Sequence, residues 1–119
     1  MKILFASDIH GSAYYCRRLL DIYKETKASR MVILGDILYH GPRNDLPKEY
    51  APKEVIAMLN PLKDQIYAVR GNCDTEVDQM VLQFPILADY ALLVLDGKTF
   101  YATHGHVFNQ DHLPPMQAG

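Results

Sequence analysis

Cysteine is scarce in this chain: Cys16 and Cys73 are its only two among 119 residues, 57 positions apart. A pair so spaced builds none of the disulfide frameworks that staple small secreted domains, so both read as free thiols of a reducing compartment. Basic charge is equally short, with 12 Lys and Arg against 14 Asp and Glu for a formal charge of −2. That balance supplies no field for holding a phosphate backbone by counterion release, and polymeric nucleic acid is not an expected partner. No apolar run approaches the roughly 20 residues that span a bilayer. The opening stretch turns polar at Asp8, too early for a signal-peptide core. A cytoplasmic protein with no membrane partner is expected. Also missing are the Gly-x-x-x-x-Gly-Lys-Ser/Thr phosphate loop, the Gly-x-Gly-x-x-Gly fingerprint and the Gly-x-Ser-x-Gly nucleophile elbow, which removes three common nucleotide-binding and hydrolase readings.

What is present is one domain's worth of alternating short apolar runs and amphipathic stretches. A chain of this length closes a single core and has no length for a second. The alternation predicts an α/β domain with helices packed on a largely parallel sheet. The first run is Ile3 to Ala6, and Ser12 is placed to cap a helix whose stripe is Cys16, Leu19, Leu20 and Tyr23. Cys16 on that stripe reads as core. A second run covers Met31 to Leu34. The long aperiodic stretch from Asp36 to Lys53 reads as a loop at the mouth of a site. Pro52 suits the first turn of a helix that stops before Pro61. Ile66 to Val69 forms a third buried run, and Thr75 with Asp78 resembles a capping box at the start of a short helix through Leu82. Asp96-Gly97 between Tyr90–Leu95 and Lys98–Thr103 is a type I′ hairpin signal, so an antiparallel pair follows the parallel part.

Four of these strands end in chemistry. Asp8-x-His10, Gly35-Asp36, Gly71-Asn72 and His104 follow them, and ligands of open α/β sheets bind beyond the carboxyl ends of the strands. Carboxylate, amide and imidazole donors without a thiolate set suit Mn²⁺, Fe or Zn²⁺. Asp36 has two oxygens with which to bridge a pair of ions, and two ions roughly 3.5 to 4 Å apart hold a hydroxide in line with phosphorus. Singly each motif is better explained by a turn or a surface feature; the joint placement after four buried runs is the signal.

These motifs, with the stretch His40-Gly41-Pro42-Arg43-Asn44 and with Gly71-Asn72-Cys73-Asp74 and Thr103-His104-Gly105-His106, resemble the calcineurin-like metallophosphoesterase superfamily, and within it the small bacterial phosphodiesterases of YfcE type. The resemblance implies an α/β/β/α sandwich and metal-dependent hydrolysis of a small phosphodiester, commonly with Mn²⁺, with Zn²⁺, Fe or Ni²⁺ as alternatives. It places Asp8, His10 and Asp36 on one ion and Asp36, Asn72 and His104 on the second, with Asp36, Asn72 and His104 at the catalytic centre. The superfamily's final Gly-His-x-His is missing, and His112 stands in the wrong context to replace it. Residues 1–119 therefore resemble the N-terminal part of a family member lacking its C-terminal strands, expected to be weak or inactive alone. The alternative is a protein-interaction scaffold on a degenerate fold of this kind; homo-oligomerisation is left open.

Cys73 stands where most of the superfamily has His. It reads as lining the site rather than as a nucleophile, because no base partner is displayed. A neutral thiol is a poor general acid, which favours esters with good leaving groups. Arg43 is suited to bidentate phosphate contact, but for it and for His40 a role on the loop surface is the favoured reading. His106 reads both as a substrate contact and as a solvated loop residue, and Arg70 as structural.

Overall fold

The computed structural model describes residues 2–41, 45–107 and 109–111. Strands β1 (Ile3–Ala6), β2 (Arg30–Ile33) and β3 (Ile66–Ala68) form a parallel sheet in the order β1-β2-β3. Phe5, Val32 and Tyr67 lie side by side in its register. The crossovers are helices α1 (Ala13–Thr26) and α2 (Pro52–Leu59). Side chains alternate across a strand. Leu4, Met31, Ile33, Ile66 and Ala68 accordingly face one core with Cys16 and Tyr23 of α1 and Val55 and Leu59 of α2. On the other face Phe5 and Tyr67 remain half exposed beside a fully buried Val32.

Ser12 caps α1 as expected. Its buried hydroxyl accepts from the Tyr15 amide at 3.2 Å and donates to the Lys48 carbonyl at 2.5 Å. Ser12→Ala removes both bonds, and we expect a loss of about 1–2 kcal/mol in urea denaturation; a change of a few tenths would mean water takes over the cap. Pro52 opens α2, which stops at Leu59, before Pro61, as expected. A 3₁₀ turn (Asn60–Gln65) runs on directly from Leu59 with the proline near its start, where the missing N–H costs least.

Thr75 and Asp78 do form a reciprocal capping box, opening α3 (Glu76–Val81). Leu82 is its extended C-cap rather than a helical residue. The chain beyond carries Leu82, Phe84 and Ile86 into the core without strand pairing. Its polar backbone is met by side chains instead: Gln79 donates to the Leu82 and Phe84 carbonyls and accepts from the Ile86 amide. The hairpin β4 (Ala91–Leu95) and β5 (Lys98–Ala102) is antiparallel, with Asp96 at φ 50° and Gly97 at φ 77°, the two left-handed residues a type I′ turn requires. Leu92, Val94 and Phe100 of the hairpin are exposed. Among the described residues no helix is long and apolar enough to cross a membrane.

Candidate metal centre

The three parallel strands end side by side, and their following loops stay in register. The amides of Asp8, His10 and Gly11 donate to the carbonyls of Gly35, Asp36 and Ile37 at 3.0, 2.9 and 2.8 Å. The loop after β1 thus rides on the loop after β2. Asp8, His10 and Asp36 adopt left-handed backbone, at φ 60°, 51° and 55°, which turns their side chains out of the strand direction into one space. The described end of the long loop comes back to the same place, since the Ala13 amide donates to the Glu49 carbonyl and the Ala51 amide to the Gly11 carbonyl.

Gly35 and Gly71 allow the β2 and β3 loops to touch. A Cβ on Gly35 would lie 2.6 Å from the Gly71 Cα, and one on Gly71 would lie 2.7 Å from the Asp36 amide nitrogen. The contact is locked by Asp74, a buried carboxylate. Its Oδ2 accepts from the amides of Asp36 (2.7 Å) and Gly71 (2.6 Å), and its Oδ1 from that of Ile37 (3.0 Å). Asp36 reciprocates, its Oδ1 accepting from the Cys73 amide at 2.7 Å. Asp74 was visible in the sequence only as the acidic residue closing Gly71-Asn72-Cys73-Asp74; nothing there indicated that it joins two loops.

Around this frame stand all five residues whose spacing suggested metal ligation. His10 Nε2 lies 3.0 Å from Asp8 Oδ1 and 3.7 Å from Asp36 Oδ2. His104 Nε2 lies 3.3 Å from Asp36 Oδ2 and 3.0 Å from Asn72 Oδ1. Each imidazole is oriented from behind: His10 Nδ1 donates to the Tyr39 carbonyl at 2.8 Å, and His104 Nδ1 to the Leu34 carbonyl at 2.6 Å. A carbonyl can only accept, so Nδ1 carries a hydrogen in both rings. In a neutral ring the Nε2 lone pair then points at oxygens that are themselves acceptors. A cation between them satisfies every one of these atoms, and backbone-anchored histidines are the usual outer support of a metal site.

The charges respond to this crowding. Burial pushes the Asp36 carboxyl up, against the Cys73 amide bond and the field of His104, with the Asp8 carboxylate adding to the rise. Asp8 goes the other way: burial opposes its ionisation, but the Ser7 hydroxyl bond and the side-chain contacts with Asp36 and His10, with the field of His104, outweigh that and hold it below the usual range. Burial, followed by the fields of Asp36, Asp74 and Asp8, pushes the Cys73 thiol up, so without a cation it is a neutral thiol rather than a nucleophile.

The remaining candidates divide. Cys73 is buried against the cluster. His106 is exposed at the rim, its ring edge-on to His104 at 5.4 Å between centroids. Burial and then the Arg70 charge favour its neutral form. His40 is held between the rings of Tyr39 and Tyr50 at 5.1 Å each, which makes it a packing residue of the loop. Arg70 is structural, its guanidinium on Asp89 at 2.8–2.9 Å. Cys16 is core, its thiol pushed up to about 11 by burial. Arg43 and His112 lie outside the described residues.

Comparison with known proteins agrees with the geometry. The calcineurin-like phosphoesterase family matches over residues 1–117. Phosphodiesterase YfcE of Escherichia coli strain K12 is 49% identical over 116 residues, covering 98% of this chain and 63% of the relative, and YfcE of strain O157:H7 matches to the same extent. The chain thus spans less than two thirds of the length of these curated relatives. A solved structure described as YfcE, a phosphoesterase from E. coli, superposes with a TM-score of 0.94, covering 98% of this chain and 64% of that one. A more distant structure from Streptococcus pneumoniae TIGR4, described as a predicted phosphoesterase, gives 0.51 at 23% identity over 92% of this chain and 48% of its own, a likeness of fold. The α/β architecture expected from the run pattern is therefore that of the metallophosphoesterase core, and the chain belongs to the calcineurin-like phosphoesterase family.

Proposed function

We propose that this chain carries the metal-binding part of a phosphodiesterase acting on a small phosphodiester. The observation that carries the reading is the pair of imidazoles anchored through Nδ1 with both Nε2 atoms aimed at Asp8, Asp36 and Asn72 oxygens. The donor set suits two divalent ions, Mn²⁺ first, with Zn²⁺, Fe or Ni²⁺ as alternatives. Divalent ions held there would neutralise phosphate charge and make a water more acidic as a nucleophile. Asp8, His10 and Asp36 would hold one ion, and Asn72 and His104 would hold a second together with the shared Asp36. His106 at the rim and the neutral Cys73 at the buried end would face the substrate; Arg43, the proposed phosphate contact, lies outside the described residues. The E. coli relatives' phosphodiesterase name supports the reaction class.

Metal content measured by mass spectrometry after equilibration with Mn²⁺ tests the reading. Wild type is expected to retain about two ions per chain, and Asp36→Ala to lose them. Asp36→Asn keeps the acceptor for the Cys73 amide and isolates the loss of charge. No stoichiometric metal in wild type, or full retention in both variants, would overturn the proposal and leave the cluster as inherited scaffold.

A further inference from the structure

The ligand set above leaves Cys73 out, yet its sulfur belongs to the same cluster. One donor atom each from His10, Asp36 and Cys73 lies within 4.8 Å of the others, as do one each from Asp8, Asp36 and His104. The two groups share Asp36 and differ in character: the first offers nitrogen, oxygen and sulfur, the second two oxygens and a nitrogen. We propose that the His10–Asp36–Cys73 group is a binding site for a thiophilic divalent cation, Zn²⁺ or Cd²⁺, held through a thiolate bond from Cys73. The inference rests on the metal-centre reading and deepens it by assigning the buried end of the cluster to soft ions.

Three features carry it. Asp36 and Cys73 are 2% and 8% exposed, so water competes poorly for a cation placed between them. The Cys73 amide bond to Asp36 Oδ1 fixes the backbone that carries the thiol next to the shared carboxylate. His10, anchored by the Tyr39 carbonyl, directs Nε2 toward the same carboxylate. Tetrahedral Zn²⁺ with bonds of about 2.0 to 2.3 Å holds its donors roughly 3.3 to 3.8 Å apart, so the group closes on an ion with side-chain movements of about an ångström. Sulfur is the discriminator, since thiolate selects soft ions while carboxylate and amide oxygens serve Mn²⁺. On binding, one metal–sulfur bond forms, the S–H bond breaks and its proton passes to solvent; no electron is transferred.

The test is titration of the metal-free chain with Cd²⁺ alone, followed through the ultraviolet charge-transfer band of the cadmium–thiolate bond. Wild type and Cys16→Ser are expected to show the band. Cys73→Ser and Cys73→Ala are expected to lose it and to bind Cd²⁺ at least about tenfold more weakly, while their Mn²⁺ affinity stays within about twofold. That Mn²⁺ uptake also shows that the variants keep a folded site. A wild-type chain with no band, a band that survives in both Cys73 variants, or equal weakening for Mn²⁺ and Cd²⁺ would overturn the proposal. Wild type that takes up Mn²⁺ without the band refutes thiolate coordination alone, whereas failure to take up either ion refutes the metal centre as well.

Discussion

Asp74→Ala is expected to lower the unfolding free energy by about 4 kcal/mol, because three buried amides lose their acceptor together and each unsatisfied donor costs about 1–3 kcal/mol. The amides are those of Asp36, Ile37 and Gly71. They belong to different loops, so the loss also loosens the β2 loop from the β3 loop, which the Cys73 amide bond to Asp36 alone then ties, and shifts Asp36 relative to Asn72. Mn²⁺ affinity is therefore expected to fall along with stability, although Asp74 itself is not among the proposed ligands. Asp74→Asn should cost less. Its one carbonyl oxygen can replace Oδ2 and keep two of the three bonds, leaving its amide group facing the Ile37 N–H. Urea denaturation of both variants checks the ranking; an Asp74→Ala protein within about 1 kcal/mol of wild type would show that water substitutes for the carboxylate.

Gly35→Ala is expected to be as damaging, by a different route. The position combines a φ of +101° with a neighbouring backbone that leaves no room, since the added Cβ falls on Gly71 and lies 3.0 Å from the Arg70 carbonyl carbon. Backbone strain of about 1–3 kcal/mol adds to an overpacking cost of about the same size, for a sum of about 4 kcal/mol. Gly97→Ala is the control. It shares a left-handed φ of +77° but meets nothing within 4 Å, so strain alone remains and about 1 kcal/mol is expected. Comparable losses at the two positions would mean that the Gly35–Gly71 approach contributes nothing to stability.

The three parallel strands and their ends were legible because each apolar run gives way within three residues to a donor, Asp8, Asp36 or Asn72. Ser12, the Thr75–Asp78 box and Asp96-Gly97 are local signals whose meaning depends on a few neighbouring residues, and the structure has all three in the form expected. The register of the runs was less legible: β2 begins at Arg30 and ends at Ile33, one residue earlier than its apolar pattern. Leu82, Phe84 and Ile86 alternate like a strand but are served by the Gln79 side chain, a partner no periodicity announces. The same holds for the supports of the candidate centre. Asp74, the Tyr39 carbonyl and the Leu34 carbonyl act through contacts between residues up to 70 positions apart, and two of the three are backbone atoms that any side chain could accompany.

Asp8, His10 and Asp36 share the left-handed backbone that L-residues other than glycine rarely adopt. Each such turn carries a cost of order 1–3 kcal/mol that the folded chain must absorb. That cost falls at folding, not at binding. A cation reaching the cluster would consequently meet a backbone already set, and only side-chain ordering would be left to oppose its binding. Such a site would be preorganised in its backbone, so that ions would be told apart by the small side-chain movements each one requires.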